Sequence, residues 1–388
     1  MLDGIPSLLT ALASGADASI PDLAREVPEE EWPRLLEIVR RHGLTPLLGE
    51  AVLPHGDTCP PTVQDALRTH RDYAMLWHRI QMNDLALILE ALGGASIPHL
   101  LMKGTALGFM VYRHPWLRLV GDTDLLVPAD RVEEAHELAL GLGFKVTEEW
   151  ADAHHLPALQ RESNPPIELH HQSLYVPTPE PGYTLVPVDF SLLDAEAGTV
   201  DAGGFEARVP SARDALLQLS CNFGSHMEES IARPLRWVRD YAELLGRGRV
   251  RWSEVEERID FIAPDLRTTV LMSLALARPF IGGSYEPALL EAIDGLPNPY
   301  ARLTRVVSPR DMVHEWTTSP RRAWHVLSCL MGPWRATKWS LNKLLVSKEH
   351  ITRQTGLSGD ALCMRVYPIA FALHAIYHLR RADRSRGE

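Results

Sequence analysis

The stretch Lys103–Val127, KGTALGFMVYRHPWLRLVGDTDLLV, decides how the rest of the chain is interpreted. It ends in a strand pattern in which Asp122 and Asp124 are followed by three apolar residues. Side chains two apart on a β-strand point to the same face, so the two carboxylates are expected side by side. A buried strand tolerates such a pair only with a positive partner, whereas a surface strand would leave both acids in solvent. The pattern predicts a divalent-cation site, with Mg²⁺ expected and Mn²⁺ as the alternative.

The beginning of the same stretch predicts a contact with phosphate. Gly104 and Thr105 lie at a turn into a helix, where the missing Cβ of glycine lets a ligand approach the backbone. The unpaired N–H groups of a helix N-terminus bind anions, and the Thr105 hydroxyl could add a donor. Simple helix capping would explain the same residues. The segment is not a P-loop, because Lys103 precedes the glycine and no GxxxxGK[ST] pattern is present.

A third carboxylate follows on a later strand. Residues 165–171, PPIELHH, alternate apolar and polar side chains, which is typical of a half-buried strand. Glu168 on this strand could complete the metal site or take a proton from an attacking hydroxyl, or it could be an ordinary exposed acid. His170 could orient the metal-binding carboxylates, while His171 is expected in the core.

The composition is that of an ordinary globular protein, with 388 residues, 45% hydrophobic and 23% charged. The sequence shows no run of 18 apolar residues and no basic leader, so we expect neither a transmembrane segment nor a secretory signal. Four scattered cysteines without a CxxC pair argue against structural zinc and a disulfide framework. These features predict a cytoplasmic protein.

Charge is unevenly distributed along the chain. The net charge is -11, but residues 301–388 carry 15 Lys and Arg against 6 Asp and Glu, and the rest is strongly acidic. This basic segment also contains Trp324, Trp334 and Trp339. It is a candidate contact for an anionic partner such as a nucleic acid or a membrane surface. Packing of the last helices against a core explains the same residues.

The order of helical and strand patterns predicts an α+β protein, with a small mixed β-sheet core flanked by N- and C-terminal helical regions. We divide the chain into a helical region, an α/β core and a second helical region, at residues 1–95, 96–210 and 211–388. Helices are expected at residues 30–42, 63–92 and 129–142, and strands at 98–102, around Asp124 and at 165–171. Residues 172–210, rich in Pro and Gly, are expected to form a loop with short strands.

Three motifs in this order resemble the uncharacterised nucleotidyltransferase family of the DNA polymerase β-like superfamily. They are LMKGTAL (101–107), RLVGDTDLLV (118–127) and IELH (167–170), with flanking similarity at 41–47 and 236–240. The likeness covers roughly residues 35 to 330. It implies that the Gly-containing turn holds nucleotide phosphates, that two strand carboxylates bind Mg²⁺ and that a third completes the site. Thr123, in place of a bulky aliphatic residue, and Glu168, in place of the commoner Asp, depart from the family pattern.

The resemblance implies a Mg²⁺-dependent transferase that moves a nucleoside monophosphate from an NTP to an acceptor hydroxyl. Three carboxylates are expected to bind metal and act in catalysis, and six residues to bind the nucleotide: Asp122, Asp124 and Glu168; Lys103, Gly104, Thr105, Arg118, Arg233 and Arg236. Ion pairs within the protein could instead explain Lys103 and the three arginines.

The acceptor is not identified by these motifs. A small-molecule, peptide or protein acceptor is favoured over RNA, because most of the chain is acidic. Two other functions fit the same residues: a phosphotransferase on the same fold, and a non-catalytic nucleotide-binding scaffold.

Overall fold

The structure is a computed structural model that describes residues 4–147, 154–177, 183–225, 234–246 and 250–296. Within these residues the protein is α+β, with helices around a small mixed β-sheet, as the sequence predicts. The basic segment 301–388 and Arg233 lie outside the described residues, so the interpretations placed on them stay predictions.

Five helices precede the sheet: α1 (Gly4–Ser14), α2 (Ile20–Arg25), α3 (Trp32–Arg41), α4 (Thr45–Val52) and α5 (Pro61–Gly94). In α3 the apolar side chains Trp32, Leu35 and Val39 recur at helical spacing and are all buried. The chain then turns at Gly43, whose φ of 67° is a left-handed conformation that favours glycine. The structure confirms the two helices predicted at residues 30–42 and 63–92, with ends shifted by a few residues.

The sheet has five strands in the order β1-β2-β5-β4-β3. Their bounds are β1 (Leu100–Leu101), β2 (Thr123–Leu126), β3 (Lys145–Val146), β4 (Leu159–Gln160) and β5 (Ile167–His170). β2 and β5 are parallel neighbours, whereas the other three pairings are antiparallel. The parallel pair forms the centre of the sheet and carries the predicted carboxylates.

Two helices connect the strands, α6 (Lys103–Met110) between β1 and β2 and α7 (Val132–Gly141) between β2 and β3. The predicted start of α7 at residue 129 is wrong by three residues. Pro128 and Arg131 close a turn instead, with the Arg131 N–H donating to the Pro128 carbonyl at 2.9 Å. The helix therefore begins only after this turn.

The predicted loop at residues 172–210 contains two hairpins and a short helix. The elements are β6 (Leu174–Pro177), β7 (Tyr183–Val186), α8 (Phe190–Asp194), β8 (Gly198–Asp201) and β9 (Glu206–Val209). The short strands agree with the prediction, whereas α8 was not expected. Its N-terminus is capped by Asp189, whose carboxylate accepts a hydrogen bond from the Ser191 N–H at 2.9 Å.

The rest of the described chain is helical, as predicted from residue 211 onward. The helices are α9 (Ala212–Ser225), α10 (Pro234–Leu245), α11 (Trp252–Ile262), α12 (Leu266–Ile281) and α13 (Pro287–Asp294). None of the helices in the described part of the chain combines the length and the apolar surface that crossing a lipid bilayer requires.

Two hydrophobic cores lie on the two faces of the sheet. Leu126 packs with the N- and C-terminal helices, whereas its neighbour Leu125 packs into a second core with residues of α5 and α7. This split follows from the alternation of side chains along a strand. The 34-residue α5 belongs to both cores, through Val63 near its start and Leu89 near its end. Each fully buried side chain of this kind contributes about 1.5–3 kcal/mol to stability.

Asp84 is a buried acid on α5 that fixes the loop before β5. Its carboxylate accepts hydrogen bonds from Arg161 Nε at 2.9 Å and from Asn164 Nδ2 at 2.7 Å. We expect Asp84→Ala to lower the free energy of unfolding by about 2 kcal/mol, because it leaves Arg161 unpaired. The loss is smaller than for a fully buried pair, since the Arg161 side chain is 34% exposed. Denaturation in guanidinium chloride measures this change.

The matched control is Glu90→Ala, an exposed acid on the same helix. Its free energy of unfolding should stay within about 0.5 kcal/mol of the wild-type value. If Asp84→Ala is as stable as this control, Asp84 does not anchor the loop.

Candidate active site

The register between β2 and β5 places the predicted acids next to each other. Asp124 on β2 lies directly opposite Glu168 on β5, and Leu126 lies opposite His170. Because side chains two apart share a face, Glu168 and His170 point to the same side of the sheet as Asp124. Two residues that are 44 positions apart in the chain are thus adjacent in the fold, as the sequence motifs imply.

Asp124 is the centre of a hydrogen-bonded cluster. Its Oδ1 accepts a hydrogen bond from Lys103 Nζ at 2.6 Å and lies 2.7 Å from His170 Nε2. His170 Nε2 also lies 3.3 Å from the Glu168 carboxylate. Asp124 and His170 are almost fully buried, whereas Glu168 is 23% exposed. Solvent therefore reaches the cluster at Glu168, whereas Asp124 and His170 are shielded from it.

The charged groups of the cluster shift one another's pKa values. Burial alone would raise the pKa of Asp124, but the Lys103 ammonium and the hydrogen bond with His170 outweigh it and hold this pKa below its usual range. Burial likewise opposes the charged form of Lys103, and Asp124 reverses the effect, so the pKa of Lys103 is raised. Both groups are charged at neutral pH and form a buried ion pair.

Asp122 sits one residue before β2, not on the strand itself as predicted. Burial disfavours its charged form and the nearby Asp124 repels it, which together raise the pKa of Asp122 to about 6. A positive charge close to Asp122 would relieve this repulsion. The position is thus one where a carboxylate gains from a bound cation.

The loop that carries Asp122 is held in place by its backbone. The Asp122 carbonyl accepts hydrogen bonds from Gln81 Nε2 on α5 at 3.0 Å and from the Thr105 hydroxyl at 3.4 Å. The Val120 carbonyl accepts from Trp77 Nε1 on α5 at 2.9 Å. Thr105, predicted to contact phosphate, thus also has a structural role, and Gln81 and Trp77 are supporting residues that the sequence did not indicate.

The N-terminus of α6 begins at Lys103, which has a left-handed φ of 47°. Such a conformation is uncommon for a residue other than glycine and occurs mostly where the surrounding structure enforces it. Gly104 follows, and a Cβ built on it would lie 2.5 Å from Val120 Cγ1. Only glycine therefore fits here without displacing Val120. The close approach at this turn is that of the Val120 side chain, so the predicted contact of Gly104 with phosphate stays a prediction.

Arg118 is buried in an ion pair that joins the core to the C-terminal helices. Its Nε and Nη2 donate to the two carboxylate oxygens of Asp240 on α10, at 2.7 Å and 2.8 Å. Tyr112 donates its hydroxyl to the same carboxylate at 2.7 Å. The guanidinium also lies 3.5 Å from the position a Cβ would take at Gly104. Arg118 is thus an ion partner of Asp240 placed directly behind the turn, and its predicted contact with nucleotide stays a prediction.

Arg236 on α10 lies against the N-terminal helices. Its Cδ is 3.4 Å from the position of a Cβ on Gly43, and its guanidinium lies over the Trp237 ring at 6.0 Å. Its predicted role in nucleotide binding remains a prediction.

Two further histidines border the cluster. The rings of His154 and His155 each lie 5.1 Å from the ring of His170, and the two rings are 4.7 Å apart. The backbone of His155 forms a bridge with that of His170. This pair is not part of the motifs from which the site was predicted. A His-His doublet upstream of the IELH motif was the available signal, but only the strand pairing brings the rings together.

The cluster has the chemistry of a divalent-cation site. Asp124 and Glu168 in the cluster and Asp122 beside it carry three negative charges when ionised, against the one positive charge of Lys103. One ligand atom each from Asp124, Glu168 and His170 lie within 4.8 Å of one another. His170 Nδ1 is buried without a hydrogen-bond partner in the described part of the protein, so Nε2 is the ring nitrogen that faces the carboxylates. Oxygen-rich sets suit Mg²⁺ and Mn²⁺.

Comparison with known protein families matches residues 28–282 to the family described as "Uncharacterised nucleotidyltransferase". The match covers more than half of the chain and includes the three sequence motifs and the Asp124 cluster. No curated protein and no solved structure matches the chain significantly.

The Arg118–Asp240 pair provides a test of how the site is supported. We expect Asp240→Asn to lower the free energy of unfolding by about 3–5 kcal/mol, because it leaves the buried Arg118 guanidinium without a carboxylate. Chemical denaturation measures the loss. The control is Glu257→Gln, an exposed acid on α11, which should change stability by less than about 0.5 kcal/mol. Similar stability of the two variants would show that Asp240 is not needed to hold Arg118.

Proposed function

The chain belongs to the uncharacterised nucleotidyltransferase family, and we propose that it transfers a nucleoside monophosphate from an NTP to a hydroxyl group of an acceptor. The observation that carries this proposal is the pairing of Asp124 with Glu168 beside the N-terminus of α6. This pairing places carboxylates that could bind a divalent cation next to a backbone turn that could bind phosphate. These are the two requirements of phosphoryl-transfer chemistry.

The turn at the start of α6 would hold the phosphates of the donor. The first N–H groups of a helix have no acceptor within the helix and attract anions. Gly104 has no Cβ and lies against Val120 and Arg118, and Lys103 supplies a positive charge from the preceding position. The Thr105 hydroxyl, which donates to the Asp122 carbonyl, keeps the turn next to the carboxylates.

Asp122, Asp124 and Glu168 would hold the Mg²⁺ ion, with Mn²⁺ as an alternative. When bound, the ion would neutralise phosphate charge and lower the barrier to attack by the acceptor hydroxyl. The raised pKa of Asp122 and the excess negative charge of the cluster support this assignment.

In the proposed reaction the acceptor oxygen attacks the α-phosphorus of the NTP. A new O–P bond forms, the bond from the α-phosphorus to the oxygen bridging to the β-phosphate breaks, and pyrophosphate leaves. The hydroxyl proton passes to the Glu168 carboxylate, the member of the cluster that is partly open to solvent. Arg118 acts from behind the turn by keeping Gly104 and the following helix in position.

The acceptor is proposed by class only. Outside residues 301–388 the chain is strongly acidic, which disfavours binding of an RNA backbone and favours a small molecule, a peptide or a protein side chain. The basic segment 301–388 remains a candidate contact for an anionic partner.

The phosphate of the NTP that is transferred, α or γ, distinguishes this reaction from that of a phosphotransferase with the same site. NTP labelled at the α- or the γ-phosphate is incubated with Mg²⁺, the protein and candidate acceptors, and label in the acceptor is counted. We expect label from the α position only, with release of pyrophosphate. Label from the γ position would establish a phosphotransferase instead. Nucleotide binding without transfer of either label would leave the non-catalytic nucleotide-binding scaffold.

Asp124→Asn should reduce label transfer at least about a hundredfold, because the amide lowers the negative charge that the cation and Lys103 require. The matched control is Asp130→Asn, an exposed acid in the turn before α7, which should transfer label at the wild-type rate. Transfer by Asp124→Asn at the rate of this control would contradict the proposed site.

Gly104→Ala tests the phosphate turn separately. The added Cβ would come within 2.5 Å of Val120 Cγ1, and we expect the resulting shift to weaken nucleotide binding about tenfold and to cost about 1–3 kcal/mol of stability. Binding of a fluorescent NTP analogue and thermal unfolding measure the two effects. In the control Gly93→Ala the new Cβ meets nothing within 4 Å, so binding should be unchanged. Unchanged nucleotide affinity in Gly104→Ala would remove this turn from the proposal.

A further inference from the structure

The ammonium of Lys103 lies among the atoms that would coordinate a cation. Its Nζ is 2.6 Å from Asp124 Oδ1 and 3.4 Å from His170 Nε2. These atoms belong to two of the three residues whose donors lie close enough together to hold a metal ion. A divalent cation bound there would meet the lysine charge at a distance where two positive charges repel strongly in a buried site.

The backbone supports this placement of the side chain. Lys103 adopts the left-handed φ of 47° at the very start of α6, a conformation that a lysine adopts only when its surroundings enforce it. Its side chain is only 14% exposed. The long side chain is thus directed back across β2 to Asp124, although it starts from the turn where phosphates would bind.

We propose that Lys103 is an internal counter-ion that neutralises Asp124 until a divalent cation takes its place, and that the released ammonium then binds the phosphates of the donor. This inference rests on the proposed function and adds a sequence of events: the cation displaces Lys103 first, and Lys103 then binds the phosphates. The cation and the nucleotide help each other to bind, because each uses an arrangement of Lys103 that the other favours.

The geometry explains why one residue can serve both partners. Lys103 is the first residue of α6, and its neighbour Gly104 is the residue without a side chain in the phosphate turn. A rotation of the side chain, with no change of the strands, therefore moves the charge from Asp124 towards the turn. The cation alone must displace Lys103 from its ion pair, whereas the cation with nucleotide gives Lys103 a new anionic partner.

Binding of Mn²⁺ alone is the first test, followed through the electron paramagnetic resonance signal of the free ion. Lys103→Met and Lys103→Gln should bind Mn²⁺ about tenfold more tightly than wild type in the absence of nucleotide, a change in the usual range for coupled sites. Two variants are used because methionine in a charged cluster could destabilise the fold, while glutamine keeps a polar side chain. Lys145→Met, on the exposed strand β3, is the matched control and should bind as wild type.

Binding of nucleotide is the second test, with a fluorescent α,β-methylene ATP analogue in the presence of EDTA or of Mn²⁺. Without a divalent cation, the Lys103 variants should bind the analogue as wild type does. In the wild-type protein Lys103 then stays paired with Asp124 and does not contact the phosphates of the analogue. With Mn²⁺ they should bind it about tenfold more weakly than wild type. An equal loss under both conditions would show that Lys103 contacts phosphate regardless of the cation, and would overturn the exchange.

Asp124→Asn separates this inference from the function on which it rests. If Asp124→Asn loses Mn²⁺ binding while the Lys103 variants bind Mn²⁺ as wild type or more weakly, the metal site stands and the role of Lys103 is wrong. If Asp124→Asn binds Mn²⁺ as tightly as wild type, the proposed metal site itself is wrong, and the exchange fails with it.

Discussion

The parallel register of β2 and β5 is the constraint on which the candidate site depends. It places Asp124 opposite Glu168 and directs both to the same side of the sheet as His170. A slip of one residue along β5 would turn Glu168 towards the core that contains Leu125, and would bring Leu169 to Asp124. Burying a carboxylate among apolar side chains is costly. The hydrophobic faces of the two strands therefore also fix the positions of the charged groups.

Buried charges in this protein join elements that are distant in sequence. Lys103 at the start of α6 pairs with Asp124 on β2, Arg118 with Asp240 between the core and α10, and Arg258 with Asp214 between α11 and α9. Such pairs add little net stability, since desolvation offsets most of the attraction. Their main effect is on specificity, because a fold that leaves one of these buried charges without its partner is strongly destabilised. The pairs thus restrict how the helical regions can sit on the core.

The sequence predicts the parts of the site that depend on local pattern. Alternation along a strand was enough to put Glu168 and His170 on one face, whereas their position beside Asp124 depends on the pairing of β2 with β5. Helical spacing was enough to predict α3 and α5. The strand β4, of two residues, and α8, of five, are too short for a periodic signal. The contact of Arg118 with Asp240, 122 residues apart, and the approach of His154 to His170 arise only from tertiary packing. The domain boundaries, Arg233 and the basic segment 301–388 stay predictions.

The helix α5 spans about 50 Å at 1.5 Å per residue and enters both hydrophobic cores. Between its two buried ends, Trp77 and Gln81 hold the loop that leads to Asp122. The helix therefore connects the two cores, and its middle part supports the candidate site. A chain shortened to begin at residue 96 would lose one wall of the second core together with the support of Asp122. We therefore expect the loop before Asp122 and the N-terminal helices to unfold together as one cooperative unit.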